Sequence, residues 1–301
     1  MTWLRTVCAG VTAWALAACT SDASESEQGA TAACDRDCLV ALGHQVVSRA
    51  RPLEGAVRFT ENGMETKAAD SWLARAKDVN IHGDYADADE GSVVVVGTGT
   101  DSDERPTVFG LRLQADAGKV SEAELILAHS GEASLFPAAT PLMRLPVYAE
   151  ETPMAARTPP ERMVALANAY FDGIEVDSGT NVPVTEDCQR VENGVQTTNS
   201  ERFPGLKCNS LEGFDYITEV RERRFPIVDE QRGVVVGLVA FYIPGGDYER
   251  TAADGTKMTR HYDPRALFLM EAFKIESGKI RMIEATMRNM PLGSTMGWPA
   301  R

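Results

Sequence analysis

The 301-residue sequence predicts an α+β protein made of two tandem copies, on three observations. A short motif recurs, Arg58-Phe59-Thr60-Glu61-Asn62-Gly63 early in the chain and Arg190-Val191-Glu192-Asn193-Gly194 later. Each is followed by a matching strand-turn-strand, Leu113 to Val120 with Gly118-Lys119 at its turn, and Phe273 to Ile280 with Gly278-Lys279. Glu124 and Glu284 then fall at the same offset from those glycines. Self-similarity on this scale marks a duplicated unit. One helix followed by several antiparallel strands in each copy is an α+β plan, with helices covering one face of a curved sheet.

Residues 1–33 read as export and tether. Arg5, the mostly apolar Val7 to Leu16 and the small residues after them predict a signal peptide, too short to span a membrane as a mature helix. Leu16-Ala17-Ala18-Cys19 has the form of a bacterial lipobox, which would make Cys19 a lipidated first residue; Ala15-Leu16-Ala17 also fits plain secretion. Thr20 to Ala33 is Ser/Glu/Ala-rich and reads as a flexible tether. The expected location is therefore outside the cytoplasm, as a periplasmic protein or an outer-membrane lipoprotein whose only membrane contact is the lipid. In that oxidising setting Cys34, Cys38, Cys188 and Cys208 are available for disulfides. Four cysteines allow three pairings; Cys34–Cys38 and Cys188–Cys208 are favoured because each stays within one copy. No Cys-x-x-Cys is present and the four His are scattered, so no metal is expected.

The first copy, 34–136, opens with a helix whose stripe is Leu39, Leu42 and Val46, and continues with strands Val93 to Val96, Val108 to Leu113 and Val120 to Ala128. Pro137, Pro141, Pro146 and Pro153 mark 137–157 as an extended junction. The second copy, 158–301, begins with Thr158-Pro159-Pro160-Glu161, which reads as a capping box with proline in the first turn. Its helix puts Met163, Leu166, Ala167, Tyr170 and Ile174 on one inward stripe. Strands follow at Gly233 to Tyr242, Leu267 to Ile275 and Ile280 to Arg288, with glycine at the hairpin turns supplying positive φ. The polar stretch Pro244 to Pro264 reads either as a lid or as a solvated hairpin loop.

Thirty Lys and Arg against 44 Asp and Glu leave a net charge of −14, with no basic cluster to neutralise phosphates, so nucleic acid is not an expected partner. No nucleophile elbow, P-loop, zinc-protease motif or dinucleotide fingerprint occurs, and no cofactor is expected. What remains for an enzyme is cofactor-free proton transfer. Alternation along Leu267 to Ile275 puts Glu271 on a face with Leu267, Leu269, Phe273 and Ile275, where the first copy has Leu111. A carboxyl there is desolvated, which raises its pKa and suits a general acid or an oxyanion donor. The competing reading is a structural bridge from Glu271 to Arg221, Arg223 or Arg224, a run that otherwise reads as a solvated face. Tyr170 is a candidate donor beside it. Glu192 and His261 are candidates to move the proton, and Asn193-Gly194 is either part of the site or only a turn.

The Tyr170-bearing helix, the Glu192-Asn193-Gly194 hairpin and the closing Phe273-Lys274…Gly278-Lys279-Ile280 pair together resemble the nuclear-transport-factor-like, or SnoaL-like, superfamily, and a secreted group that carries this unit in tandem. The resemblance spans about residues 34–135 and 158–290. It implies two cone-shaped domains, each with helices packed on a strongly curved, mostly antiparallel sheet around a pocket. It further implies an isomerase, lyase or dehydratase acting on a small hydrophobic molecule, such as a lignin-derived aromatic. The superfamily also contains non-catalytic members, which leaves a binding module for a hydrophobic ligand or envelope partner as the alternative. By motif order, its tyrosine and its protonated acid fall on Tyr170 and Glu271, and its base on the Glu192-Asn193 pair, where the closest register is Asn193 rather than an acid. The superfamily's habit of pairing open sheets implies a homodimer, or the same contact made inside the tandem chain.

Overall fold

The computed structural model describes residues 34–130, 132, 145–201, 203–251 and 255–299. The signal peptide, Cys19 and the tether lie outside them, as do Pro137 and Pro141 of the junction. The first copy contains α1 (Arg36–Val47), β1 (Arg58–Glu61), β2 (Met64–Glu65), α2 (Trp72–Arg75), β3 (Lys77–Asp87), β4 (Ser92–Thr100), β5 (Pro106–Asp116) and β6 (Lys119–His129). The second contains α3 (Pro160–Glu175), β7 (Val184–Glu192), β8 (Val195–Gln196), β9 (Glu219–Asp229), β10 (Val234–Ile243), β11 (Gly246–Thr251), β12 (Lys257–Tyr262), β13 (Arg265–Glu276) and β14 (Lys279–Met290).

Each copy builds a six-stranded sheet, in the orders β2-β1-β6-β5-β4-β3 and β8-β7-β14-β13-β10-β9. These are the same order: the Asn-Gly strand runs parallel to the last strand of its copy, and the other pairings are antiparallel. The duplication seen as a motif is thus a duplication of topology. Register shifts interrupt β9–β10 and β3–β4 at corresponding places, the kind of bulge that bends a strand. Helix α1 buries Leu39, Leu42 and Val46 and α3 buries its expected stripe, each against the inner face of its own sheet.

The outer faces of the two sheets pack on one another. Val94, Val96 and Ile126 of the first copy share a buried cluster with Leu238, Phe268 and Met270 of the second. Every residue of β10 is consequently buried, one set toward α3 and the other toward the opposite sheet. Polar groups cross this contact in two equivalent places. Glu124 is held by Arg224 in a two-pronged pair at 2.7 and 2.9 Å, and its counterpart Glu284 accepts from the Tyr85 hydroxyl at 2.8 Å.

Two local expectations are corrected. The junction is folded where it is described: Pro146–Tyr148 and Met154–Ala156 form single 3₁₀ turns, and the Tyr148 hydroxyl donates to the Ala272 carbonyl at 3.0 Å. An aromatic residue with a backbone partner ties that segment to β13, which proline content alone does not reveal. Nor does Thr158 form a capping box: Pro159 is the N-cap of α3 without a side-chain bond, and the Thr158 hydroxyl accepts from Gly278 N–H at the β13–β14 turn. Cysteines pair locally, Cys34 with Cys38 and Cys188 with Cys208, which fits an oxidising compartment. Among the described residues no helix is long and apolar enough to cross a membrane.

Candidate functional site

Three neighbouring strands of the second sheet set the site. Glu271 on β13 lies opposite Ala285 on β14, which lies opposite Glu192 on β7. One rung away, Phe273, Ile283 and Arg190 are aligned in the same way. Residues two apart share a face, so both carboxyls and the guanidinium point into the core beneath α3. On the other side Glu271 is opposite Gly237 of β10. The acid is flanked by glycine and alanine, and a Cβ on Gly237 would lie 3.2 Å from the Phe171 ring of α3. The first copy has Val95, Leu111 and Leu125 at the corresponding positions and Phe59 in place of Arg190. There hydrocarbon fills these places, except that Glu61 stands at the counterpart of Glu192 and accepts from Trp72 N–H.

Arg190 organises the polar groups. It is buried, its Nη1 donates to the Tyr170 hydroxyl at 3.1 Å, its Nε donates to Thr197 Oγ1 at 3.1 Å, and Nε lies 3.4 Å from Glu192 Oε1. Because the Tyr170 oxygen accepts from Arg190, its own O–H is left to donate elsewhere. Burial holds that phenol far into its neutral form, against the opposing pull of Arg190. Glu271 is 2% exposed, and its Oε2 has no hydrogen-bond partner. Burial first, and Glu192 second, push its pKa up to about 8. Arg190 pulls the other way without overcoming them, so at neutral pH Glu271 is mostly the uncharged acid, a donor rather than an acceptor.

The expected bridge from Glu271 to the Arg221–Arg224 run does not form. Arg221 pairs with Glu219, Arg223 with Asp172 and Glu175 of α3, and Arg224 with Glu124. Arg224 is buried, so the run is not the solvated face its composition indicates. Glu192 joins the cluster, its Oε2 buried without a partner. Asn193 is 0% exposed, but its amide is engaged with backbone: Nδ2 donates to the Met287 carbonyl and Oδ1 accepts from Met287 N–H, at 2.9 and 2.8 Å. Asn62 accepts from Leu127 N–H in the same way. Asn193 extends the parallel β7–β14 pairing through its side chain, a structural role for the amide. His261 is also outside the cluster. Its side chain is 65% exposed on β12, beside Asp247 and Asp263.

Pro244 to Pro264 is neither an irregular loop nor wholly solvated. Its two strands, β11 and β12, lay Tyr248 and Tyr262 against the core. Tyr262 stacks on the buried Tyr216 at 3.9 Å, and Arg250 fastens the hairpin to Asp215. Arg190 lies 5.7 Å from the Phe214 ring, whose centre is 6.0 Å from that of Tyr216, so this aromatic layer adjoins the polar cluster. Pockets of about 220 to 260 Å³ elsewhere on the molecule are lined by other residues. Among the described residues no group of three or more His, Cys, Asp or Glu is placed to hold a metal.

Arg190 is the member of the site that residue-by-residue reading overlooks. Its signal was present: it stands two residues before Glu192, on the same strand face, where the first copy carries phenylalanine. The fold and this cluster together define a tandem two-sheet α+β protein with a buried acid–guanidinium cluster beneath the helix of its second copy. Residues 156–287, which contain the whole cluster, match a family model described as a domain of unknown function, DUF8021. No curated protein matches the chain.

Proposed function

We propose that the second copy is a cofactor-independent proton-transfer site, of isomerase or lyase/dehydratase type, for a small hydrophobic molecule such as a lignin-derived aromatic. The supporting observation is a carboxyl, Glu271, buried without a partner for Oε2 and uncharged at neutral pH, in the same core as a tyrosine hydroxyl free to donate. Glu271 and Tyr170 would then share a negative charge developing on an enolate- or phenolate-like oxygen, as paired donors do in oxyanion holes. Glu192, held against Arg190, is the group that accepts and returns the proton. Substrate entry requires the Tyr216–Tyr262 stack to part, which makes the β11–β12 hairpin the gate.

The same reading takes each copy as a SnoaL-like cone and the chain as an exported protein, lipid-anchored if Cys19 is the mature N-terminus. It is supported by the helix-over-sheet order common to both copies and by the two disulfides. The close packing over Glu271 favours the rival reading, a non-catalytic module that binds a hydrophobic ligand or envelope partner. Deuterium exchange separates the two. Wild-type protein in D₂O, given a panel of aromatic enones and phenolic ketones, is expected to label carbon-bound positions next to a carbonyl. Glu271→Gln should slow that labelling about tenfold to thousandfold, the range for losing one catalytic donor. Equal labelling by both proteins removes Glu271 from the mechanism.

A further inference from the structure

The contact between the copies contains a second polar site, on the opposite side of the sheets from Glu271. A cavity of about 250 Å³ opens there, with Arg112 and Gln114 of β5 on one side, Arg224 and Pro226 of β9 on another, and Trp298 near the C-terminus as a wall. Its guanidinium inventory is unbalanced. Arg112 is 2% exposed; its Nη2 donates to Gln114 Oε1 and Glu122 Oε2, while Nε and Nη1 have no partner. Arg224 spends its two terminal nitrogens on Glu124 and leaves Nε unpartnered. Buried cationic donors without acceptors are costly and uncommon in folded proteins. Two such side chains at one cavity mark a place where an acceptor belongs.

The surroundings narrow what that acceptor is. The Trp298 indole lies over Arg112, 5.6 Å from the ring centre, and over Arg58 at 4.1 Å, while its N–H donates to Thr60 Oγ1. A flat apolar wall beside a planar fork of donors suits a flat ligand carrying a carboxylate. Glu90 and Glu122 at the same cavity put negative charge near it, which disfavours a dianion such as phosphate relative to a single carboxylate. We propose that this cavity between the two copies binds an aromatic monocarboxylate, with its carboxylate on Arg112 and its ring against Trp298.

Titration of the full chain with benzoate, followed by tryptophan fluorescence and by thermal melting, tests the assignment. Benzoate should bind saturably and raise the melting temperature. Benzamide, the same shape without the charge, should bind about tenfold more weakly or worse, since charge-assisted bonds are roughly twice as strong as neutral ones. Inorganic phosphate should bind less well than benzoate. Arg112→Leu should lose benzoate, and because it also takes a partner from Glu122 and Gln114 it should melt lower than wild type. If that variant does not fold, Arg112→Lys serves instead: it keeps the charge, loses the fork and should weaken benzoate about tenfold. Glu271→Gln should bind benzoate like wild type, which separates this site from the core of the second copy. Absence of saturable binding, equal affinity for benzamide or phosphate, or benzoate binding that survives the Arg112 change or is abolished by Glu271→Gln would overturn the proposal.

Discussion

Replacing Glu271 with glutamine should change how the fold responds to pH, in a direction opposite to that of most carboxylates. An acid whose pKa is raised in the folded state favours folding in its protonated form. Its contribution is complete below its unfolded value of about 4.5 and is lost as pH rises through about 8. At about 1.4 kcal/mol per pH unit, that span corresponds to roughly 4 to 5 kcal/mol of stability lost between mildly acidic and mildly alkaline pH. Glu284 behaves alike: burial at the contact between the copies raises it to about 7, against the opposing bond from Tyr85, adding roughly 3 kcal/mol over a narrower window. Near pH 6 these two groups together hold about two more protons in the folded protein than in the unfolded chain, which contributes a slope of about −2.7 kcal/mol per pH unit. Urea unfolding of the disulfide-intact protein from pH 5 to 8.5 measures it. Glu271→Gln, which cannot ionise, should halve the slope from this pair near pH 6, leave about a third of it at pH 7 and nearly abolish it at pH 8. A wild-type slope retained by the variant would mean that Glu271 titrates normally, and the reasoning about its environment would fail with it.

Two further predictions concern side chains that hold the architecture. Asn193→Ala removes both bonds to the Met287 backbone and leaves buried groups unpaired, so it should destabilise by about 2 to 4 kcal/mol, read as a lowered urea midpoint with the m-value unchanged. Arg224→Met strands Glu124 in the contact between the copies and should cost about 3 to 5 kcal/mol, whereas Arg224→Met with Glu124→Leu should recover most of that loss in the same assay.

The strands that were legible in the sequence are those with an apolar face and a glycine turn. β5–β6 and β13–β14 are foretold by alternation, and Gly118 and Gly278 adopt the positive φ, 74° and 71°, that their hairpins need. The helix stripe around Tyr170 is legible for the same reason, since one face is buried in one core. Polar strands are not. β9 carries Arg221, Glu222, Arg223 and Arg224, and only tertiary context shows that Arg224 turns into the contact between the sheets. β11 and β12 bury little beyond Tyr248 and Tyr262, so their period is too thinly marked to separate a hairpin from a loop. At the site, the burial of Glu271 followed from its neighbours along the strand. Arg190 did not, because its partners Tyr170 and Thr197 come from other elements, and an arginine in a strand ordinarily faces water.

The difference between the copies that creates the Glu271 cluster lies on the inner face, and the architecture says why. Packing the outer faces together ties the two sheets to each other: Glu124 with Arg224 and Glu284 with Tyr85 are fixed by what lies across the contact. The inner faces meet only elements of their own copy, so they can diverge without disturbing the partner sheet. In the first copy the rung reads Val95, Leu111, Leu125, and a phenylalanine fills the place beside it. In the second it reads Gly237, Glu271, Ala285, with Arg190 in that place. Glycine and alanine surrender packing, and two carboxyls and a guanidinium bring desolvation that hydrocarbon would avoid. The first copy, which keeps a carboxyl only at Glu61 on this rung, shows that the same topology is built without the buried acid of Glu271 and the guanidinium of Arg190. Stability therefore does not account for the polar core, and a site that departs from local packing rules in one copy, while its twin obeys them, is where function is expected to reside.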